Sequence, residues 1–193
     1  MNESYDVNKV GTALVVIDLQ KGIVGISTEP HAASAVVCNA AKLARAFREN
    51  HMPVFLVRVM PSADGKDGLQ PVTDTGPALN PTRAPDWAEI VPELGPEPTD
   101  FVITKRQWGA FYGTELDLQL RRRRIDTIVL CGISTNVGVE STARFAFEYG
   151  YQLIFAEDAS SARSKEEHDH TMKTTFSRIG RIRTTGQILT SMG

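Results

Sequence analysis

Short apolar runs alternate along this chain with longer amphipathic stretches, and this alternation restricts the folds open to it. Residues 13–18 are apolar up to a closing acid, as expected for a strand buried on both faces of a parallel sheet. Residues 32–50 then place their apolar side chains on one helical face. The predicted strands are residues 13–18, 54–59, 101–104, 126–133, 151–156 and 181–183. The predicted helices are residues 32–50, 114–124, 135–149, 165–179 and 185–192. This βαβα order predicts an α/β fold with a doubly wound, Rossmann-like, six-stranded parallel sheet and helices on both faces.

One segment departs from this alternation. Residues 60–99 hold most of the prolines of the chain, and they predict a long excursion with little regular structure. Loops of this length in a compact domain are usually functional or mobile. A linker between two domains is disfavoured because neither flank could bury a full core alone. We therefore expect one domain over residues 1–193.

The composition limits the partners of the chain. The formal charge is −2 and no concentrated basic face is evident, so no nucleic-acid partner is predicted. The basic run at residues 121–124 is interpreted as the solvated end of a helix. No apolar stretch approaches the ~20 residues that span a bilayer, so no membrane partner is predicted either. Two distant cysteines and a polar N-terminus lead us to expect a cytoplasmic, reducing location.

Several polar residues follow directly after predicted strands, where the ligand crevice of a doubly wound sheet lies. Asp18 ends the first strand; it is either a carboxylate whose pKa burial can tune or a helix cap. Lys105 ends the third strand; it could keep that aspartate ionised or stabilise an anion, or it is a solvated lysine. Ser134 and Thr135 begin a helix whose free N–H groups could bind an oxyanion or a carboxylate, although simple capping would also explain them.

The loop after Lys105 is rich in aromatic residues. Trp108, Phe111 and Tyr112 stand among glycines there. They could wall a pocket for a small planar or cyclic substrate, or they could pack in the core. The density of aromatic residues in a glycine-containing loop favours the pocket.

No cofactor or metal is predicted. The glycine-rich fingerprints of dinucleotide and nucleoside triphosphate sites are absent from the sequence. Histidines are few, and His168 and His170 are two residues apart, so they do not share a helical face. We expect both to be solvated, and we predict no catalytic metal.

Three segments together resemble the isochorismatase-like (cysteine hydrolase) family. They are residues 13–20, 104–111 and 132–144, and the acid–alanine turn at 156–159 also matches. The resemblance spans nearly the whole chain in the same order. Within this family the sequence resembles a small group of uncharacterised bacterial isochorismatase-like hydrolases that share the run at residues 105–112.

The resemblance implies a set of site residues. It assigns the catalytic aspartate to Asp18, the catalytic lysine to Lys105 and the position of the nucleophilic cysteine to Gly138. Glycine cannot act as a nucleophile, so the resemblance does not support covalent amide hydrolysis. Beside this catalytic set, the residues that we predict to bind substrate are Gln20, Trp108, Phe111, Tyr112, Ser134 and Thr135.

The resemblance also suggests a reaction. Isochorismatases in the family carry glycine at the position of the cysteine and hydrolyse a vinyl ether. There the aspartate is a general acid that protonates the enol-ether carbon, and water captures the oxocarbenium ion. Asp18 would need a pKa raised by burial, whereas Lys105 would lower that pKa. Whether Asp18 is an acid or a base therefore stays open.

Two other functions remain open. The first is a thiol-independent amidohydrolase in which Asp18 activates water. The second is a non-catalytic protein that binds a small molecule on the same fold. Cys131 lies within a predicted strand and is interpreted as a buried structural thiol rather than a substitute nucleophile.

The family resemblance carries two structural expectations. Members often have a non-proline cis peptide near residues 133–134, and they usually form dimers or larger assemblies. We therefore expect a homo-oligomer in which residues 60–99 could help to cover the site of a neighbouring subunit.

Overall fold

A computed structural model describes residues 7–74 and 83–193. Six strands form one sheet in the order β3-β2-β1-β4-β5-β6, and every neighbouring pair is parallel. The strands are β1 (Thr12–Ile17), β2 (Val54–Val59), β3 (Phe101–Lys105), β4 (Thr127–Ile133), β5 (Gln152–Ser161) and β6 (Arg181–Arg183). The strand order reverses at β1, so the crevice expected of a doubly wound sheet opens beside the end of this strand. The predicted fold class is confirmed.

Helices cover both faces of the sheet. They are α1 (Lys21–Val24), α2 (Ala33–Glu49), α3 (Leu116–Arg122), α4 (Glu140–Glu148), α5 (Lys165–His170), α6 (Ser177–Ile179) and α7 (Thr185–Thr190). A π-helical turn, Thr135–Val139, leads directly into α4, and another, Thr171–Phe176, joins α5 to α6. Residues 165–179 are therefore helical throughout, as predicted, but the middle of this helix is π-helical.

Strand β1 explains why the first apolar run shows no alternation. All six of its residues are buried. Leu14 and Val16 point into the core beneath α2, whereas Ala13, Val15 and Ile17 join a second core beneath α3 and α4. Both faces of the strand are thus covered, and a polar residue on either face would lose its contact with water.

Helix α2 follows its apolar period closely. Its buried side chains recur at helical spacing: Val36, Val37, Ala40, Leu43, Ala44 and Phe47. The helix ends where His51 adopts a left-handed conformation, with φ of 56°. The next N–H, that of Met52, donates to the carbonyl of Phe47, which closes the last turn. Pro53 follows and leads into β2.

The described parts of the proline-rich excursion have little regular structure, as predicted. In the described parts of residues 60–99 the regular elements are one 3₁₀ turn, Pro92–Leu94, and a bridge from Ile90 to Gln20. No helix among the described residues has the length and apolarity that crossing a bilayer requires. Strand β5 is longer than predicted: it continues to Ser161, because residues 160 and 161 pair with Gly132 and Ile133 after a shift in the pairing register between β4 and β5.

The end of β4 comes very close to β1. Gly132 has φ of 132°, and a β-carbon placed on it would clash with the backbone carbonyl oxygen of Ile17. Only glycine can occupy this position without moving β1. The next peptide bond, Ile133–Ser134, is cis, which confirms the expectation drawn from the family resemblance.

Candidate active site

A buried ion pair lies at the carboxyl end of the sheet. Asp18 follows β1 with φ of 55°, and its backbone N–H donates to the carbonyl of Val57 over 2.8 Å. Lys105 ends β3, and its long side chain passes the end of β2 to reach the aspartate. Its Nζ donates to Oδ2 of Asp18 over 2.8 Å and to the carbonyl of Trp108 over 2.5 Å. The lysine side chain is 1% exposed and the aspartate side chain 9%, so the pair is largely removed from water.

Burial dominates the electrostatics of Asp18. Loss of solvation raises its pKa to about 6, although the nearby Lys105 ammonium acts in the opposite direction. Oδ1 of Asp18 is buried and has no hydrogen-bond partner among the described residues. This oxygen is therefore available to a substrate or a water molecule, and the carboxyl group titrates close to neutral pH.

Gly138 faces this pair from the π-helical turn before α4. A β-carbon on it would lie 3.0 Å from Oδ2 of Asp18 and 3.2 Å from Nζ of Lys105. The structure thus brings together the three residues that the family resemblance assigned to catalysis. A side chain at position 138 would contact both charged groups, but glycine offers no functional atom there.

A cavity of about 690 Å³ opens over these residues. Its wall includes five of the predicted site residues: Asp18, Lys105, Trp108, Ser134 and Gly138. Trp108 is 64% exposed and stands at the rim, where its ring could close over a bound molecule. The volume suits a small organic substrate.

The cavity wall also contains basic residues that are not among the site residues predicted from the sequence. Arg106 and Arg163 both line the cavity. Arg106 donates from Nε to Asp67 over 2.6 Å, but its Nη1 is buried without a partner among the described residues. Both arginines lie just beyond the ends of strands, so the strand-end rule that selected Lys105 could have found them. Unpaired guanidinium nitrogens are suited to binding a carboxylate.

Four predicted substrate-binding residues lie outside the cavity wall. Gln20 is fully buried and joins two strand ends: its side chain accepts from the N–H of Val59 over 2.8 Å and donates to the carbonyl of the same residue over 3.1 Å. Phe111 is 4% exposed and packs in the core. Tyr112 is exposed outside the cavity, and Thr135 is buried. The position of the cavity gives no support to a substrate contact by these four residues. Their role in substrate binding stays a prediction.

The expectation that His168 is solvated is wrong. It is 1% exposed, and its Nδ1 lies 2.8 Å from Oγ1 of Thr135. Its Nε2 lies 3.3 Å from Oε1 of Glu157, a carboxylate that also contacts His31. The helix turns His168 inward, whereas His170 is exposed as expected. Long-range partners explain the burial, and local spacing could not reveal them.

Cys131 lies fully buried in β4, as predicted. Burial raises the pKa of its thiol to about 12. A thiol that stays protonated at neutral pH is a poor nucleophile. This residue is therefore unsuited to replace a nucleophile at position 138.

Comparison with known proteins identifies the family whose members share this sequence and fold. Residues 12–187 match the model described as the isochorismatase domain. The uncharacterised isochorismatase family protein YwoC of Bacillus subtilis is 53% identical over 98% of each chain. The uncharacterised isochorismatase family protein YecD of Escherichia coli O157:H7 is 53% identical over 97% of this chain and 99% of the relative. A solved isochorismatase family protein from Burkholderia thailandensis superimposes with a TM-score of 0.92, at 42% identity over 97% of each chain.

Proposed function

This chain belongs to the isochorismatase family of hydrolases, and on that premise we propose that it cleaves a vinyl ether in a small carboxylated substrate, such as isochorismate, without a covalent cysteine intermediate. One observation carries the proposal. The carboxyl group of Asp18 is buried beside Lys105, and the position that faces both of them, Gly138, has no side chain. A nucleophile is missing from this arrangement, but an acid with a raised pKa is present.

The reaction needs only a proton and water. Asp18 gives its proton to the terminal carbon of the enol ether, and the ether carbon becomes an oxocarbenium ion. Water adds to this ion and returns a proton to the carboxylate, which restores the acid. The resulting hemiketal breaks into pyruvate and a cyclic diol. An acid with pKa near 6 suits this exchange, because it both gives and regains a proton near neutral pH.

The cations of the cavity would hold the substrate. Lys105 is held by Asp18 and by the carbonyl of Trp108, so its charge lies at the floor of the cavity. Arg106 and Arg163 lie in the wall, and their guanidinium groups would bind the carboxylates of the substrate. The ring of Trp108 would cover the substrate from the rim.

The test is pyruvate release from isochorismate by the purified protein, run beside the variant Asp18→Asn. We expect release by the original protein and a loss of roughly 10²–10⁴-fold in the variant, which is the usual contribution of a general acid. Folded protein that releases no pyruvate would exclude isochorismate as the substrate. Release that survives in the variant would exclude Asp18 as the acid.

A thiol-independent amidohydrolase is the second candidate. With a pKa of about 6, Asp18 is mostly ionised at pH 7, and an ionised carboxylate could activate water as a base. Ammonia release from small cyclic amides, with no pyruvate from isochorismate, would favour this function. If the protein binds such molecules, turns none over and binds equally well as Asp18→Asn, it is a non-catalytic binding protein.

Assembly and location belong to the same proposal. We expect a homo-oligomer, and a monomer by light scattering would contradict this. Cys38 and Cys131 are both free thiols, which is consistent with a cytoplasmic, reducing compartment. The formal charge of −2 gives no support to a nucleic-acid partner.

A further inference from the structure

Three side chains from distant segments meet outside the cavity wall. His31 lies in the turn before α2, Glu157 lies in β5, and His168 lies in α5. Nε2 of His31 is 2.8 Å from Oε1 of Glu157, and Nε2 of His168 is 3.3 Å from the same oxygen. One ligand atom from each residue lies within 4.8 Å of the other two. The three groups therefore converge on one point.

The backbone holds this cluster in place. Glu29 and Ala162 exchange two backbone hydrogen bonds of 2.9 and 3.1 Å, which fasten the turn that carries His31 to the end of β5. The N–H of His31 also donates to Oγ of Ser161 over 3.3 Å. The turn and the strand thus form one unit, and the convergence does not depend on a flexible side chain alone.

The ring of His168 is oriented from its far side. Its Nδ1 lies 2.8 Å from Oγ1 of the buried Thr135, so Nε2 is directed at Glu157 and His31. Histidines that bind metal usually have this arrangement, in which one nitrogen binds the ion and the other makes a hydrogen bond that fixes the ring.

We propose that His31, Glu157 and His168 form a binding site for a divalent transition metal ion of the zinc class. Two imidazoles and one carboxylate are a common ligand set for zinc. Ligand atoms in a tetrahedral zinc site lie about 3.4 Å apart, so small side-chain rotations would bring these three into place. The side chains of His31 and Glu157 are 28% and 31% exposed, which leaves a route for the ion and room for water as the fourth ligand.

The proposed metal site is separate from the hydrolytic site, but hydrogen bonds and the backbone connect it to the wall of the cavity. His168 contacts Thr135, which begins the π-helical turn that carries Gly138. Ser134, just before this turn, lines the cavity. A bound ion would therefore brace one wall of the cavity from behind, without touching the substrate.

The experiment is calorimetric titration of Zn²⁺ into the metal-stripped full chain, with Co²⁺ absorption spectra as a second measurement. We expect one saturable site per chain, tetrahedral Co²⁺ bands and a rise in melting temperature with Zn²⁺. His31→Gln keeps a hydrogen-bond donor near Glu157 but loses the imidazole, and it should bind Zn²⁺ at least about tenfold more weakly. Glu157→Gln should behave likewise.

His170→Gln is the matched control, because it is the same substitution at an exposed histidine of the same helix as His168. It should leave the affinity for Zn²⁺ unchanged. His168 itself is too buried for a clean variant, since its loss could unfold the helix. The proposal is overturned if no saturable binding occurs, if His31→Gln and Glu157→Gln bind as well as the original protein, or if His170→Gln weakens binding equally.

Discussion

Gly138 faces Asp18 so closely that a β-carbon on the glycine would lie 3.0 Å from Oδ2 of the aspartate. Almost no real β-carbon approaches a heavy atom more closely, and Cγ2 of Ile17 would be equally near. Even the smallest side chain at position 138 must therefore shift the side chains of the ion pair or of Ile17 by a few tenths of an ångström. A substitution at position 138 therefore tests directly whether the position of the Asp18–Lys105 pair matters for activity.

Gly138→Ala should impair both stability and activity. Overpacking of this size costs about 1–3 kcal/mol in free energy of unfolding. Displacement of Asp18 from Lys105 should lower kcat/KM for pyruvate release by at least about tenfold, or 1.4 kcal/mol. Urea unfolding and the pyruvate assay measure the two effects. Gly186→Ala is the control, since its nearest neighbour would be 3.9 Å away, and it should leave activity unchanged. Full activity in Gly138→Ala would contradict the proposed geometry.

The pH dependence should reveal whether Asp18 is an acid. Its pKa is raised to about 6, so the protonated form dominates below this pH and declines above it. If protonated Asp18 is the acid, kcat/KM should fall about tenfold per pH unit above roughly pH 6. Lys105→Met removes the cation that lowers this pKa, so any remaining activity should persist to higher pH. A rate that rises through pH 6 would instead show that Asp18 is a base.

Gln20→Leu should destabilise the protein. The substitution leaves the N–H and the carbonyl of Val59 without their side-chain partner at a buried position. Each unsatisfied buried group costs about 1–3 kcal/mol, so we expect a loss of about 2–4 kcal/mol in urea unfolding. Gln152→Leu makes the same change at an exposed residue and should stay within about 0.5 kcal/mol. A rise in KM with unchanged stability would mean that Gln20 binds substrate after all.

Thiol labelling should separate the two cysteines. Cys38 is exposed on α2, whereas Cys131 is fully buried with its pKa raised to about 12. In native protein at pH 8 we expect a thiol reagent to label one cysteine per chain, and Cys38→Ala should abolish this labelling. In denaturant both cysteines should react. Rapid native labelling of Cys131 would contradict its assignment as a structural residue.

Regular patterns made most of the fold predictable. The burial of β1 and α2 appears directly in their local sequence, as an unbroken apolar run in β1 and as apolar residues at helical spacing in α2. The sequence therefore predicts the bounds of both elements within one or two residues. Asp18 and Lys105 were found by a positional rule, because parallel strands bring their carboxyl ends to one edge of the sheet.

Contacts between distant residues could not be predicted in this way. Gln20 binds a partner 39 residues away, and nothing near it in the sequence indicates this bond. His168 lies in a charged segment, yet its partners Glu157 and Thr135 bury it. Local spacing describes which way a residue faces on its own helix but not what the rest of the chain places there.

Two glycines near the end of β1 should differ in their evolutionary freedom. At position 132 the carbonyl of Ile17 occupies the space of any side chain, so a survey of variants selected only for folding should retain glycine there. At position 138 the neighbours are side chains, which can shift by a few tenths of an ångström. Selection for folding alone should therefore tolerate small residues at position 138, and selection for catalysis should decide among them. New chemistry on this scaffold would then arise by replacing one glycine while the other is retained.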